Sequence, residues 1–198
     1  EVQRVASYCL PRNLRHKTVA ELAELRSLGL ELFYVGCESG DDLILDRVSK
    51  GETFASSLEA LQKIKAAGAR SSVMILNGMG GKRYSEQHAL NSARLMNAAQ
   101  PEFLSTLVVS FPTGEERYRA GFRGKYEPLD QTGLFREMLC LLENLELERT
   151  VFRSDHASNY LVLKGTLNRD RERLIATVRS ALEQPGSVAL RPEWMRGL

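Results

Sequence analysis

The sequence predicts an α/β fold: a partial, open (βα) barrel of parallel strands with outer helices. Two observations carry this prediction. Short β-rich apolar runs alternate with helical patterns at a loose spacing of about 30–45 residues. Each helical pattern starts at a capping residue and stops at glycine, at proline or in a polar turn. Alternating strands and helices favour parallel strands with right-handed crossovers, and about five such units are too few to close an eight-stranded barrel.

The elements follow in chain order. Residues 2–10 form the first predicted strand, and Thr18 with Glu21 forms a capping box that opens a helix ending at Gly29. The later strands are expected at 31–36, 70–77, 103–109 and 150–153, and the later helices behind Thr53, Ser85, Asp130 and Asn168. The tail is expected to be irregular, with Trp194 docked onto the body.

Composition excludes several functional classes. Apolar residues make up 43% and charged residues 26% of the chain, which is ordinary for a globular domain, and 198 residues can bury one core. The formal net charge of +2 is not a nucleic-acid footprint, because acidic residues interrupt both basic clusters. The apolar runs fall short of the roughly 20 residues that span a membrane.

The cysteines and the N-terminus give two further expectations. Three distant cysteines do not form a disulfide framework, and no Cys/His spacing is typical of zinc, so we expect a cytoplasmic protein and assign no metal ligand. The chain begins with Glu1 inside a strand pattern, so we expect a fragment of a longer protein. Its first strand would then be a bare sheet edge that promotes self-association.

Polar residues and glycines gather where successive strands end, which is the ligand-binding face of barrels. The candidates are Glu38, Ser39, Gly78, Gly80, Gly81, Ser110 and His156. A carboxylate such as Glu38 can accept two hydrogen bonds from a ribose diol. Alternatively it caps the next helix, a role for which Asp41 is a rival. The glycines allow close approach of a ligand to the backbone, or serve only a tight turn.

Three segments carry a resemblance to a known family. They are Tyr-Val-Gly-Cys-Glu-Ser-Gly at 34–40, Lys-Gly-Glu-Thr at 50–53 and Val-Met-Ile-Leu-Asn-Gly-Met-Gly-Gly at 73–81. In order and spacing they resemble the rear part of a radical S-adenosylmethionine (SAM) domain. The nearest branch contains the elongator acetyltransferase subunit, the tRNA methylthiotransferases and oxygen-independent coproporphyrinogen oxidase. Residues 152–167 resemble a subgroup of the same superfamily, and the likeness covers about residues 1–185.

The resemblance implies the last four units of a (βα)₆ barrel at 1–147, with a C-terminal extension at 148–198 packed on it. It also implies an enzyme in which a [4Fe–4S] cluster cleaves SAM reductively to start radical chemistry on a substrate, whose identity the sequence leaves open. Glu38 and Ser39 would bind the SAM ribose, and Lys50 would bind the methionyl carboxylate. The adenine would be contacted by Gly78, Gly80, Gly81, Val109 and Ser110.

The chain departs from the family where the cluster is held. The Cys-x₃-Cys-x₂-Cys loop and the Gly-Gly-Glu-like segment are absent, and Cys9, Cys37 and Cys140 lie on separate elements. We therefore expect the cluster loop to lie upstream in a longer parent. This chain alone would be inactive, with neither cofactor bound.

Two alternative functions and the role of one residue stay open at this point. Another barrel enzyme, aldolase-like or phosphate-binding, would use Lys50 or Lys82, although a Schiff-base lysine is expected within a strand and desolvated. A non-catalytic binding module is the second alternative. His156 is a candidate for substrate contact or catalysis, against a structural loop role. Asp155 need not orient it, because adjacent strand residues point in opposite directions.

Overall fold

The computed structural model describes residues 5–112, 114–184 and 186–197. Its strands are β1 (Val5–Cys9), β2 (Leu30–Glu38), β3 (Arg70–Asn77), β4 (Phe103–Val108), β5 (Val151–Ser154) and β6 (Leu163–Thr166). Its α-helices are α1 (Val19–Ser27), α2 (Asp42–Arg47), α3 (Phe54–Ala66), α4 (Gly81–Ala99), α5 (Glu116–Gly121), α6 (Gln131–Asn144) and α7 (Arg171–Glu183). A 3₁₀ turn at Pro11–Leu14 follows β1.

The strands form one six-stranded sheet in chain order. β1 to β5 are parallel, and β6 pairs antiparallel with β5. The predicted α/β class and partial-barrel architecture are confirmed. β6 was not predicted, because a four-residue run containing Gly165 has little strand signal of its own and is defined by its pairing with β5.

Local capping explains why several helices begin where they do. The Thr18 hydroxyl accepts from the Glu21 amide at 3.2 Å, and the Glu21 carboxylate accepts from the Thr18 amide at 2.7 Å. Thr53 accepts from the Ser56 amide at 3.0 Å. Asp130 caps α6 in the same way. These three predicted helix starts are confirmed.

Three local predictions are wrong. Ser85 does not cap α4, which begins at Gly81 and runs through a non-helical Tyr84 (φ −119°), because the Ser85 hydroxyl donates to Glu137 of α6. Asn168 does not open α7, since it adopts φ 81° in the turn before the helix. Trp194 does not dock, because 82% of it is exposed. Residues 2–4 of the first predicted strand lie outside the described residues.

The helices cover one face of the sheet. Phe33 and Val35 of β2 pack with Leu22 of α1 and with Leu61 and Ile64 of α3 in the main core. The same core extends to α7, and β5 pairs with β4. The predicted division of the chain at 147/148 stays a prediction.

The other face of the sheet, which would line the inside of a barrel, is open. Tyr8 at the β1 edge is 76% exposed and stacks on Tyr34 with ring centroids 4.8 Å apart. A smaller apolar cluster, centred on Ile44, Met79, Phe122 and Tyr126, closes the carboxyl ends of the middle strands. Within the described ranges, no helix combines the length and apolarity needed to cross a bilayer.

Candidate functional site

Glu38 ends β2 in an unusual backbone conformation. Its φ of 67° lies in the left-handed region, and the register with β3 shifts between Gly36 and Glu38. This conformation costs a residue with a side chain about 1–2 kcal/mol. It therefore persists only where the surrounding structure enforces it. The preceding Cys37 is fully buried in the main core and anchors one side of the bend.

Ser39 anchors the other side of this bend. It is completely buried, its hydroxyl lies 2.8 Å from His88 Nδ1, and it accepts from the Asp41 amide at 3.0 Å. His88 Nε2 lies 2.9 Å from the Leu76 carbonyl, an acceptor, so the ring proton is on Nε2 and Ser39 donates to Nδ1. The Ser39 hydroxyl is thus engaged inside the protein. This contact favours a positioning role, and ribose binding by Ser39 stays a prediction.

Gly40 and Asp41 fasten the segment to α4. A Cβ on Gly40 would lie 2.2 Å from the Asn91 carbonyl oxygen, so only glycine fits here. Asp41 accepts from the Ile44 amide at 2.9 Å and caps α2, while its second oxygen accepts from Asn91 Nδ2 at 2.6 Å. Asp41 therefore fills the capping role that competed for Glu38, and the Glu38 carboxylate is available for another partner.

That partner is Lys50, whose ammonium donates to Glu38 Oε1 in a close ion pair. The Lys50 side chain is 10% exposed and that of Glu38 is 27% exposed. Arg12 donates to the Lys50 carbonyl at 2.6 Å and through its own amide to the buried Glu52 at 2.8 Å. The structure thus brings two predicted site residues into contact, which sequence spacing alone did not reveal.

The lysines do not favour the alternative chemistry. A Schiff-base amine reacts in its neutral form, whereas the Lys50 ammonium is paired with a carboxylate. The Lys82 side chain is 60% exposed and pairs with Glu127 at 3.5 Å. Neither lysine lies within a strand.

The glycine turn after β3 uses its polar groups within the protein. The Gly78 amide donates to Glu137 Oε1 at 2.6 Å, and its carbonyl accepts from the Tyr126 hydroxyl at 3.0 Å. The Met79 carbonyl accepts from the Tyr118 hydroxyl at 2.5 Å. Burial raises the pKa of both tyrosines above the usual range, so the hydroxyls stay protonated donors.

The glycines themselves are required by space and backbone angle. Gly78 and Gly81 have φ of 85° and 60°, and a Cβ on Gly81 would lie 2.6 Å from the Glu127 carbonyl oxygen. A Cβ on Gly80 would lie 2.8 Å from the Tyr84 carbonyl oxygen. The tight-turn role is therefore present, and contact of this turn with adenine stays a prediction.

A cavity of about 310 Å³ lies between the end of α2 and the exit of β4. Its lining includes Ser49, directly before Lys50, together with Ser110 and Tyr118. The Glu38 carboxylate itself lies beside Gly36, where an added Cβ would be 3.6 Å from Glu38 Oε1 and 3.8 Å from Lys50 Nζ. The Val109 amide donates to the Asn77 carbonyl at 2.9 Å and is already engaged.

His156 lies on the loop after β5 and is exposed. Asp155 pairs with Lys164 at 2.9 Å, and this contact holds the pKa of Asp155 below its ordinary value. His156 Nδ1 instead lies 2.9 Å from the Ser158 hydroxyl. Asp155 therefore does not orient His156, in agreement with the sequence argument.

The cysteines are not arranged to hold a cluster. Burial raises the pKa of Cys37 to about 12 and that of Cys9 to about 11, so neither is a ready thiolate. In the described part of the chain, no group of three or more His, Cys, Asp or Glu side chains could hold a metal ion. The residues present do not fit a [4Fe–4S] cluster, which needs converging thiolates.

Comparison with known proteins gives similarity at the level of the fold. No family model matches the chain, and no curated protein matches it. The archaeal Methanocaldococcus infernus Elp3 with an N-terminal deletion matches 94% of this chain and 43% of its own, with a TM-score of 0.61 and 17% identity. Methylornithine synthase (PylB) matches 96% of this chain and 50% of its own, with a TM-score of 0.50 and 16% identity.

Both solved structures are radical SAM enzymes, so the resemblance seen in the sequence is confirmed for the fold. The chain spans half or less of the length of each of them. At such low identity the likeness establishes the fold alone.

Proposed function

We propose that this chain forms the SAM-binding wall of a radical SAM enzyme, with Glu38 as the acceptor for the ribose hydroxyls and Lys50 beside the methionyl carboxylate. One observation carries the proposal. The backbone of Glu38 is in the left-handed conformation at the end of β2, and its carboxylate contacts Lys50. Backbone strain of this kind concentrates at ligand-binding positions.

The chemistry of the two side chains fits SAM. Lys50 contacts Oε1 of Glu38, and no other described residue donates to that carboxylate, so Oε2 can accept from a vicinal diol. An ammonium has three donors, so Lys50 can bridge Glu38 and a ligand carboxylate at once. The neighbouring cavity of about 310 Å³ lies at the lower end of the range for small-ligand sites.

SAM, when bound, would supply the 5′-deoxyadenosyl group. The chain's own residues would bind and orient it: the bend from Cys37 to Asp41 presents the carboxylate, and Arg12 holds the backbone of Lys50 in place. The described residues do not fit a [4Fe–4S] cluster. Reductive cleavage of SAM belongs, in this proposal, to a longer protein, and the chain by itself is inactive.

The test is titration of the chain with SAM, followed by calorimetry and by amide chemical shifts around β2. We expect weak binding, because the described residues offer only part of the contacts that SAM can make. Glu38→Gln removes one charged acceptor and should weaken binding about tenfold. Glu31→Gln is the matched control, because Glu31 lies at the other end of β2 and also forms an ion pair, with Arg70 at 3.0 Å.

Equal SAM affinity in the Glu38→Gln and Glu31→Gln variants would show that Glu38 is not the ribose acceptor. The absence of any shift near Glu38 at saturating SAM would have the same consequence. S-adenosylhomocysteine keeps the ribose and loses the sulfonium charge, so it should show the same dependence on Glu38.

A further inference from the structure

The loop from Asp155 to Tyr160 is firmly anchored although His156 is exposed. Ser158 and Asn159 are 4% and 3% exposed. Asn159 Nδ2 donates to the Thr106 carbonyl at 2.8 Å, which ties the loop to β4. The exposed imidazole of His156 therefore lies on an anchored loop at the carboxyl end of β5, on the ligand-binding side of the fold.

The hydrogen bonds around Ser158 determine where the His156 proton lies. The Ser158 hydroxyl accepts from the Val108 amide at 3.0 Å, and its own proton points to His156 Nδ1 at 2.9 Å. The Ser158 amide also donates to Nδ1, at 3.2 Å. Because two donors converge on Nδ1, the neutral ring carries its proton on Nε2. The accepting nitrogen faces the loop, whereas Nε2–H has no hydrogen-bond partner among the described residues and can only donate.

Two arginines contact the backbone of this loop. Arg191 donates to the carbonyls of His156 and Asn159 at 2.7 and 2.8 Å. Arg196 donates to the Ser158 carbonyl at 2.9 Å and lies 3.6 Å above the ring of Tyr160. These contacts hold the loop backbone. Arg196 is paired with Glu193 at 2.7 Å, whereas Arg191 pairs with no carboxylate in the described part of the chain, so its positive charge remains beside the loop.

We propose that His156 donates a hydrogen bond through Nε2–H to an anionic oxygen, carboxylate or phosphate, of the substrate. Ser158 is its positioning residue, because it fixes which ring nitrogen holds the proton. In this arrangement His156 is a recognition group that acts as a hydrogen-bond donor through Nε2–H. The inference deepens the proposed function and rests on it for the identification of the ligand as substrate.

The first experiment reads the ring nitrogens directly, by long-range ¹H–¹⁵N correlation on the labelled chain. His156 should show a protonated Nε2 and a hydrogen-bonded, unprotonated Nδ1. In Ser158→Ala its Nδ1 signal should move toward that of exposed His16, while buried His88, held by Ser39, should not change. A protonated Nδ1 in His156, or an Nδ1 signal unaffected by Ser158→Ala, would overturn the assignment.

The second experiment tests the donor with inorganic phosphate and with acetate, titrated separately at constant ionic strength. The ligand that binds should shift the Ala157 amide saturably. His156→Gln keeps an outward N–H, whereas His156→Phe keeps a ring without a donor, so we expect at least tenfold weaker binding in the Phe variant. Equal binding by the two variants, or no saturable shift with either anion, would refute the donor role. Neither result bears on Glu38 and SAM, so the two proposals fail separately.

Discussion

Glu137 offers the sharpest test of how the glycine turn is held. It is 2% exposed, and its two carboxylate oxygens accept from the Gly78 amide and from the Ser85 hydroxyl, each at 2.6 Å. A single side chain of α6 thus holds both the turn after β3 and the kinked start of α4. Glu137→Ala removes both acceptors and leaves two donors unpaired in a largely buried position.

The expected loss follows from these contacts. A donor left without a partner costs about 1–3 kcal/mol, and Glu137→Ala leaves two of them. We therefore expect Glu137→Ala to lower the free energy of unfolding by about 2–6 kcal/mol, a large part of the ~5–15 kcal/mol available to a domain. Glu137→Gln keeps one acceptor for the Gly78 amide and should lose about 1–2 kcal/mol.

The assay is equilibrium urea denaturation followed by circular dichroism, with the midpoint compared at constant m-value. Glu143→Ala is the matched control, because Glu143 lies on the same helix, is 38% exposed and pairs with exposed Arg179. A surface pair of this kind is worth about 0–1 kcal/mol. If Glu137→Ala cost no more than Glu143→Ala, the buried carboxylate would not be holding the turn.

Three further predictions concern packing, pH and association. Gly40→Ala places a Cβ 2.2 Å from a backbone oxygen of α4 and should prevent folding. In the control Gly124→Ala the new Cβ meets no atom within 4 Å, so this variant should lose only the roughly 1–2 kcal/mol that its left-handed φ of 73° costs. Equal urea midpoints for the two variants would contradict this prediction. Burial raises the pKa of Cys37 from 9.0 to about 12, so the unfolded chain loses this proton at a lower pH than the folded chain. The free energy of unfolding should therefore fall as pH rises above about 9, and it should fall less steeply in Cys37→Ala. Urea titrations at several pH values measure this difference. β1 contains no charged residue, and its outer edge pairs with no described strand, so this edge should promote self-association. Light scattering should detect the association, and Ala6→Lys should reduce it. A monodisperse monomer at high protein concentration would contradict the prediction.

The fold could be predicted from local capping patterns wherever no contact with a distant part of the chain competes for the capping side chain. Thr18, Thr53 and Asp130 cap helices because each partner amide is three residues away. Ser85 has the same local signal, but its hydroxyl is taken by Glu137, 52 residues further along the chain. The apolar Trp194 suggested burial, yet the tail is held by Arg196 and leaves the indole exposed.

The candidate site was predicted residue by residue but not as a unit. Glu38 and Lys50 were identified separately, and their ion pair depends on the path of α2 between them. Ser39 was assigned to a ligand because polar residues at a strand exit favour that role, whereas His88 of α4 binds its hydroxyl from 49 residues away. No spacing rule in the sequence connects these two positions.

The contact between Arg12 and the Lys50 carbonyl has a mechanical consequence. Together with the contacts of Arg12 to Glu52, it fastens the 3₁₀ turn that carries Arg12 to the loop that carries Lys50. A displacement of that turn would be transmitted to the ammonium and from there to Glu38, without any change in the core. The two charged side chains that are proposed to bind the ligand are thus connected to the carboxyl end of β1, the exposed edge strand.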